Sequence, residues 1–348
     1  MADTPALSIL DLIPVRTGQT SGQAIAASLE LARIADDHGL TRYWVAEHHN
    51  THSVASTAPP VLIALLASAT SRIRVGSGGV MLPNHAPLAV AEQFAVLEAA
   101  FPGRIDLGIG RAPGTDPVTA WALRAGGTTG AEHDPVSHFP QFVEQVIAYM
   151  SPEGAGVHIG GRAFEISATP RAVGEPPVWL LGSSDYSARL AARLGLPYVY
   201  AHHFAGRGTA EALALYRDQY TGDDGPRTFL TVNAAVAETE QQARELALPF
   251  QHMMASIHAG SPRRPLYTVE ESLVAAPALP PEQFAKVAAP WFIGTADDVA
   301  DGIRSIAAQF DVDEVMIQPI AGAYETDPLE RYPAREATVR ELASRLLG

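Results

Sequence analysis

Short apolar runs alternate along the chain with stretches whose apolar residues recur every three or four positions, the signature of strands alternating with helices. Leu7–Leu12 predicts a first strand. Ile25, Leu29, Ala32 and Ala35 then fall on one helical face, and Gly39 marks the stop. Tyr43–Ala46 predicts a second strand, and Pro59–Ala69 a helix opened by proline. Ile73–Leu82 reads as a third strand interrupted by Gly76, Gly78 and Gly79. A helix from Pro87 to about Ala100, a strand over Arg104–Ile109 and a loop-rich stretch over 111–136 follow. Next come a helix near 138–150 and a hairpin around Val157–Ile166. Val178–Leu181, Tyr198–Ala201, Thr228–Ala237 and Glu314–Ile317 complete eight strands, nearly all separated by helices. The helix after the seventh strand is expected to stop near Pro249, leaving residues 250–290 irregular and rich in proline. Thr295, with Asp298 three residues on, resembles a capping box, and a last helix runs from about Pro333 to Leu347.

Strands separated by helices argue for parallel β/α units, either an open doubly wound sheet or a closed (β/α)8 TIM barrel. The count of eight favours the barrel, as one α/β domain over 1–348 with a lid-like insertion at about 250–290, after strand seven. Hydrophobic residues make up 47% of the 348, enough for a large core. A formal net charge of −14 repels phosphate backbones, so nucleic acid is not an expected partner. There is no cysteine, which removes disulfides, thiolate nucleophiles and iron–sulfur ligation. Without a signal-peptide pattern or an apolar run of membrane-spanning length, the expected location is cytoplasmic.

In a barrel the chemistry sits at the C-terminal ends of the strands. Those ends carry Glu47-His48-His49-Asn50, the glycine-rich run Gly76–Gly79, Gly110-Arg111, Gly182-Ser183-Ser184 and His202-His203. Gly182-Ser183-Ser184 precedes a helix, so it could receive a phosphate on free N–H groups and hydroxyls, or be a plain N-cap. Arg111 could complete a phosphate clamp, or make a surface ion pair. The strand-three glycines suit a flat ligand laid against backbone, or tight packing against a neighbour. His48 and His49 are adjacent on a strand and should point to opposite faces, and no metal-ligand spacing accompanies them. A single histidine facing the barrel mouth could instead handle a proton near pH 7 or be a satisfied structural residue. Trp44, Trp121, Trp179 and Trp291 could line a pocket, although core packing is the commoner use. Gly108-Ile109-Gly110 begins a dinucleotide fingerprint that fails at Pro113, and no P-loop or nucleophile elbow is present.

Three ordered motifs, Arg42–His49, Ile73–Pro83 and Pro102–Arg111, resemble the bacterial luciferase-like family of flavin-dependent monooxygenases, with weaker support from Gly182-Ser183-Ser184 and Gly294-Thr295. The resemblance covers about residues 7 to 320. It implies a (β/α)8 barrel holding reduced FMN or, in some branches, a deazaflavin. It carries a catalytic role to His48 and cofactor contacts to Ser77, Gly78, Gly79, Arg111, Gly182, Ser183, Ser184 and Ser187. It also implies a cis peptide at Gly78-Gly79, a small-molecule substrate and a homodimer; no metal is expected, on the histidine spacing above. Since no dinucleotide fingerprint is present, reduced flavin would come from a transient flavin reductase. Luciferases carry an acidic residue where Ser183 stands and a reactive cysteine that is absent here, so light emission is not implied. The alternatives are a deazaflavin-dependent oxidoreductase, a non-catalytic flavin-binding protein and a metal-dependent hydrolase.

Overall fold

The computed structural model describes residues 4–124, 135–260 and 264–348. Eight parallel strands close into a ring: β1 (Ala6–Asp11), β2 (Arg42–Val45), β3 (Arg74–Ser77), β4 (Ile105–Gly110), β5 (Val178–Gly182), β6 (Tyr198–Tyr200), β7 (Thr228–Val236) and β8 (Glu314–Pro319). Val199 of β6 stands opposite Phe229 of β7, and Leu7 of β1 opposite Val315 of β8. Every strand is therefore paired on both sides, which decides for the barrel over the open sheet.

Helices pack around the ring because their apolar faces meet the outward-facing strand residues in one large cluster that includes Leu31, Ile63, Phe94, Ile303 and Leu342. Their ends follow local chemistry. Thr20 and Gln23 form a capping box at Ser21–Asp37, proline opens Pro59–Ala69 and Pro87–Ala100, and the Thr295 hydroxyl accepts the Asp298 N–H at Ala296–Phe310.

The barrel interior is filled from below. Arg42 pairs with Asp106 (2.8 Å) and Glu314 (2.7 Å), and Arg74 with Asp106 (2.6 Å). Above this charged layer Trp44, Trp179 and Phe229 pack edge-on and tilted at centroid distances of 5.1 to 5.8 Å. Trp44 and Trp179 are thus core residues, and open space remains only toward the C-terminal ends of the strands.

The chain departs from the sequence pattern in three places. The third apolar run splits: β3 ends at Ser77, the Gly78–Gly79 peptide is cis, and Val80–Met81 re-pairs with Ile109–Gly110 before a 3-10 turn at Leu82–Asn84. The helix after β7 does not stop at Pro249 but runs over Glu240–His258. Proline lacks the N–H that would bond the Glu245 carbonyl, and one residue on, the Gly322 N–H, from the loop after β8, donates to the Leu246 carbonyl at 2.7 Å. The stretch expected to be irregular therefore holds the end of that helix and two short ones, Val269–Val274 and Pro281–Val287. A strand that the pattern did not predict, Phe292–Gly294, then pairs in parallel with the upper half of β7. The 111–136 stretch contains a helix at Pro117–Leu123, and its residues 125–134 lie outside the described residues.

Candidate active site

A cavity of about 1030 Å³ opens at the C-terminal end of the barrel. That is the upper end of the size usual for ligand sites. His48, Gly78, Gly79, Arg111, Gly182, Ser183, Ser184 and Ser187 all line it. Ser77 does not: its buried hydroxyl donates to the Gly108 carbonyl (2.8 Å) and accepts the Gly108 N–H (3.0 Å), tying β3 to β4. The glycines that break the strand make the face of Ser77 unreadable from alternation.

The glycines answer first to packing. A Cβ on Gly76 would lie 2.6 Å from the Asp106 carbonyl, one on Gly78 would lie 2.6 Å from Leu10, and one on Gly79 would lie 2.8 Å from the Gly108 carbonyl. Gly78 and Gly79 nevertheless border the cavity, so its floor there is bare backbone.

On the β4–β5 side the cavity wall is built from donors. Ser184 is the N-cap of helix Asp185–Arg193, yet its side chain makes no capping hydrogen bond. The plain N-cap reading therefore fails for the hydroxyl, and first-turn N–H groups have no partner within the helix. Tyr198 donates to the Gly182 carbonyl (3.2 Å) and Tyr200 to that of Ser183 (3.4 Å), which holds the turn in place. Arg111 lies with its guanidinium carbon 4.1 Å from the centre of the Tyr186 ring. Among the described residues no carboxylate pairs with Arg111, so its surface-ion-pair reading fails too. A cation, hydroxyls and a helix N-terminus without an acceptor suit a phosphate group.

Strand β2 ends at Val45, so strict alternation stops there, and His48 and His49 line the same cavity rather than opposite faces. Burial, the largest influence on His48, pushes its pKa down to about 4, with Glu47 opposing and His49 adding to the shift. His48 is therefore neutral at ordinary pH, and its Nδ1 is buried without a hydrogen-bond partner. His203 also lines the cavity. Burial first, then His202 and His48, lower it to about 3, and its Nδ1 contacts the Thr231 hydroxyl.

Sequence reasoning missed the part played by Glu47. Its fully buried carboxylate receives His49 Nε2 (2.7 Å), His85 Nε2 (2.8 Å) and the Met81 N–H (2.9 Å). Burial alone would raise its pKa, but the hydrogen bonds from His49 and His85, the charge of His85 and the Met81 N–H outweigh burial and bring it to about 2. Glu47 thus clamps the end of β2 to the segment after the third-strand break. The only sequence signal was a carboxylate ending an apolar run. His85 does not line the cavity; it holds this clamp. Among the described residues no group of three histidine or carboxylate side chains is arranged to hold a metal ion.

The profile of the luciferase-like monooxygenase family matches residues 6–313. The chain belongs to this family. A luciferase-like monooxygenase of Escherichia coli K12 is 37% identical over 322 residues, 90% of this chain and 91% of its own. The crystal structure of apo-MsnO8 superposes with a TM-score of 0.84 at 34% identity and covers 98% of both chains. At 18% identity and a TM-score of 0.66, the fold alone is shared with the oxygenating constituent of 3,6-diketocamphane monooxygenase from Pseudomonas putida in complex with FMN. That structure covers 98% of each chain. In a barrel of this kind the mouth at the C-terminal ends of the strands is the place to look for chemistry. No helix among the described residues is long and apolar enough to cross a membrane.

Proposed function

We propose that this family member is the oxygenating component of a two-component system, taking reduced FMN from a separate reductase and oxidising an organic small molecule with dioxygen. The observation that carries the reading is the acceptor-free corner of Arg111, Ser183 and Ser184, beside a floor of bare backbone at Gly78–Gly79. Arg111, the two serines and the first turn of helix Asp185–Arg193 would hold the phosphate, with Ser187 alongside. Reduced FMN, when bound, supplies the two electrons that activate dioxygen. The chain does the rest. Leu10, Val54, Phe250, Met253 and Leu266 give the cavity an apolar lining that excludes water. His48, neutral and buried, offers a ring nitrogen that takes or holds a proton without itself carrying charge beforehand. The missing dinucleotide fingerprint favours a reductase on another chain. Residues within 250–260 and 264–267 line the cavity from the β7–β8 connection, and they are the part we assign as its cover.

The test is titration of FMN and of a deazaflavin into the wild type and Arg111→Ala, followed by oxygen uptake with chemically reduced FMN. FMN should bind, Arg111→Ala should weaken it, and an accepted substrate should raise oxygen uptake. Tight binding to the deazaflavin alone would replace this reading with a hydride-transferring oxidoreductase.

A further inference from the structure

We propose that Arg264 anchors an anionic group of the substrate, so that the substrate is an amphipathic molecule with an apolar body and a carboxylate. The inference rests on the flavin reading above and goes beyond it, because a flavin phosphate would account for one cation at the mouth and the described residues place two there. Arg111 and Arg264 both line the cavity. Arg111 follows β4 and stands beside the end of β5. The segment carrying Arg264 is fixed elsewhere: the Leu266 N–H donates to the Val15 carbonyl and the Thr17 N–H to the Leu266 carbonyl, each at 2.8 Å. Val15 and Thr17 belong to the loop after β1, which lies across the ring of eight strands from β5. One phosphate monoester held at the β4–β5 corner cannot also serve the β1 side.

Arg264 is poised rather than spent. Its guanidinium carbon lies 3.5 Å from the centre of the Tyr267 ring, and that ring meets His252 edge-on at 5.4 Å. Stacking uses the face of the guanidinium and leaves its N–H edge for a planar, two-oxygen acceptor. Among the described residues its hydrogen bonding is limited to a long Nε contact with the Pro265 carbonyl (3.4 Å), and it makes no ion pair. This is in a chain with 38 acidic residues against 24 basic ones. Asp116, a carboxylate in the cavity lining, is engaged at its own helix, accepting from the Val118 and Thr119 N–H groups and the Thr119 hydroxyl. Helix Glu240–His258 supplies the wall next to Arg264 with Phe250, Met253, Met254 and Ile257. Methionines adapt to varied apolar shapes, so the wall suits an alkyl or aryl body, with Arg264 fixing its charged end.

The experiment is calorimetric titration of the FMN-loaded protein at low salt with ω-phenylalkanoates of three to eight carbons and with the matching primary amides. The best acid should bind at least about tenfold tighter than its amide, as a charge-assisted hydrogen bond implies. Arg264→Gln should erase that preference, Arg264→Lys should restore part of it, and FMN affinity should stay as in the wild type. Equal binding of acids and amides, no binding by any acid, or a preference that survives in Arg264→Gln each overturns the proposal. So does weaker FMN binding in Arg264→Gln, which would put the flavin phosphate at this arginine. If the wild type binds no FMN, the flavin reading falls; the acid preference, measured on the same protein without FMN, then reports on Arg264 separately.

Discussion

Glu47 and His48 are neighbours in the chain that titrate in the same direction for different reasons. Hydrogen bonds keep the Glu47 carboxylate charged, whereas burial keeps the His48 imidazole neutral. With His48 at about 4, its protonation does not change between pH 5.5 and 8. His48→Ala should retain FMN affinity and lose substrate oxidation. The wild-type pH–rate profile should show no His48 inflection near 6.5, and stopped-flow rates from pH 5.5 to 8 check it. Arg111→Ala should raise the FMN dissociation constant by about tenfold to a hundredfold, the worth of charge-assisted hydrogen bonds at ~1.5–3 kcal/mol, read by quenching of flavin fluorescence. At this scale the sequence was legible where a residue's place is set locally. Arg111 and Ser184 sit at strand ends, and strand ends are where barrels do chemistry. Glu47 was opaque because its partner His85 is 38 residues away, and Ser77 because the broken strand hid its facing.

Elements repeat the lesson. Pro59–Ala69 and Pro87–Ala100 begin at the prolines that announced them, since a first-turn proline lacks only an N–H that would go unused. The strand Phe292–Gly294 was invisible because three residues carry no period, and only the upper half of β7 recruits them. Tertiary fit also fixes the glycines: a Cβ on Gly108 would lie 2.0 Å from the Ser77 carbonyl, with backbone on both sides of the contact. Gly108→Ala should therefore cost at least about 2 kcal/mol, measured by urea unfolding, and should disturb flavin binding through the adjoining floor. Helix Pro59–Ala69 poses a different question. It is apolar nearly all round, yet Val61 is 62% and Leu65 44% exposed, with Val96 of the neighbouring helix at 50%. A helix of that kind normally finds a second partner, and a homodimer through this face is the expectation. Val61→Glu combined with Leu65→Glu should shift sedimentation toward the monomer while leaving the far-ultraviolet spectrum unchanged.

For the whole molecule, ring closure was foreseeable from the count of eight strands, but the way the ring stores its titrating groups was not. His48 and His203, on separate strand ends, meet the same cavity and are held at about 4 and 3 against an ordinary 6.5. Between those values and 6.5 the unfolded chain binds protons that the folded chain refuses, so stability falls as pH is lowered through this window. Glu47 extends the loss. Its folded value of about 2 lies below the ordinary 4.5, so its contribution is complete above 4.5 and disappears as pH falls toward 2. Asp11, Asp36 and Glu336 are also held low, each by hydrogen bonds and neighbouring arginines that overcome burial, and they act in the same direction. The free energy of unfolding should thus be flat between about pH 7 and 9 and decline continuously below 6.5. Two histidines refusing one proton each set a ceiling of about 2.7 kcal/mol per pH unit for their share. His203→Gln should lessen the decline between pH 3 and 6.5 and leave the decline below pH 3 in place, where the carboxylates act. A slope between pH 4 and 6.5 that survives in His203→Gln at full strength would mean that His203 is not held neutral by the fold.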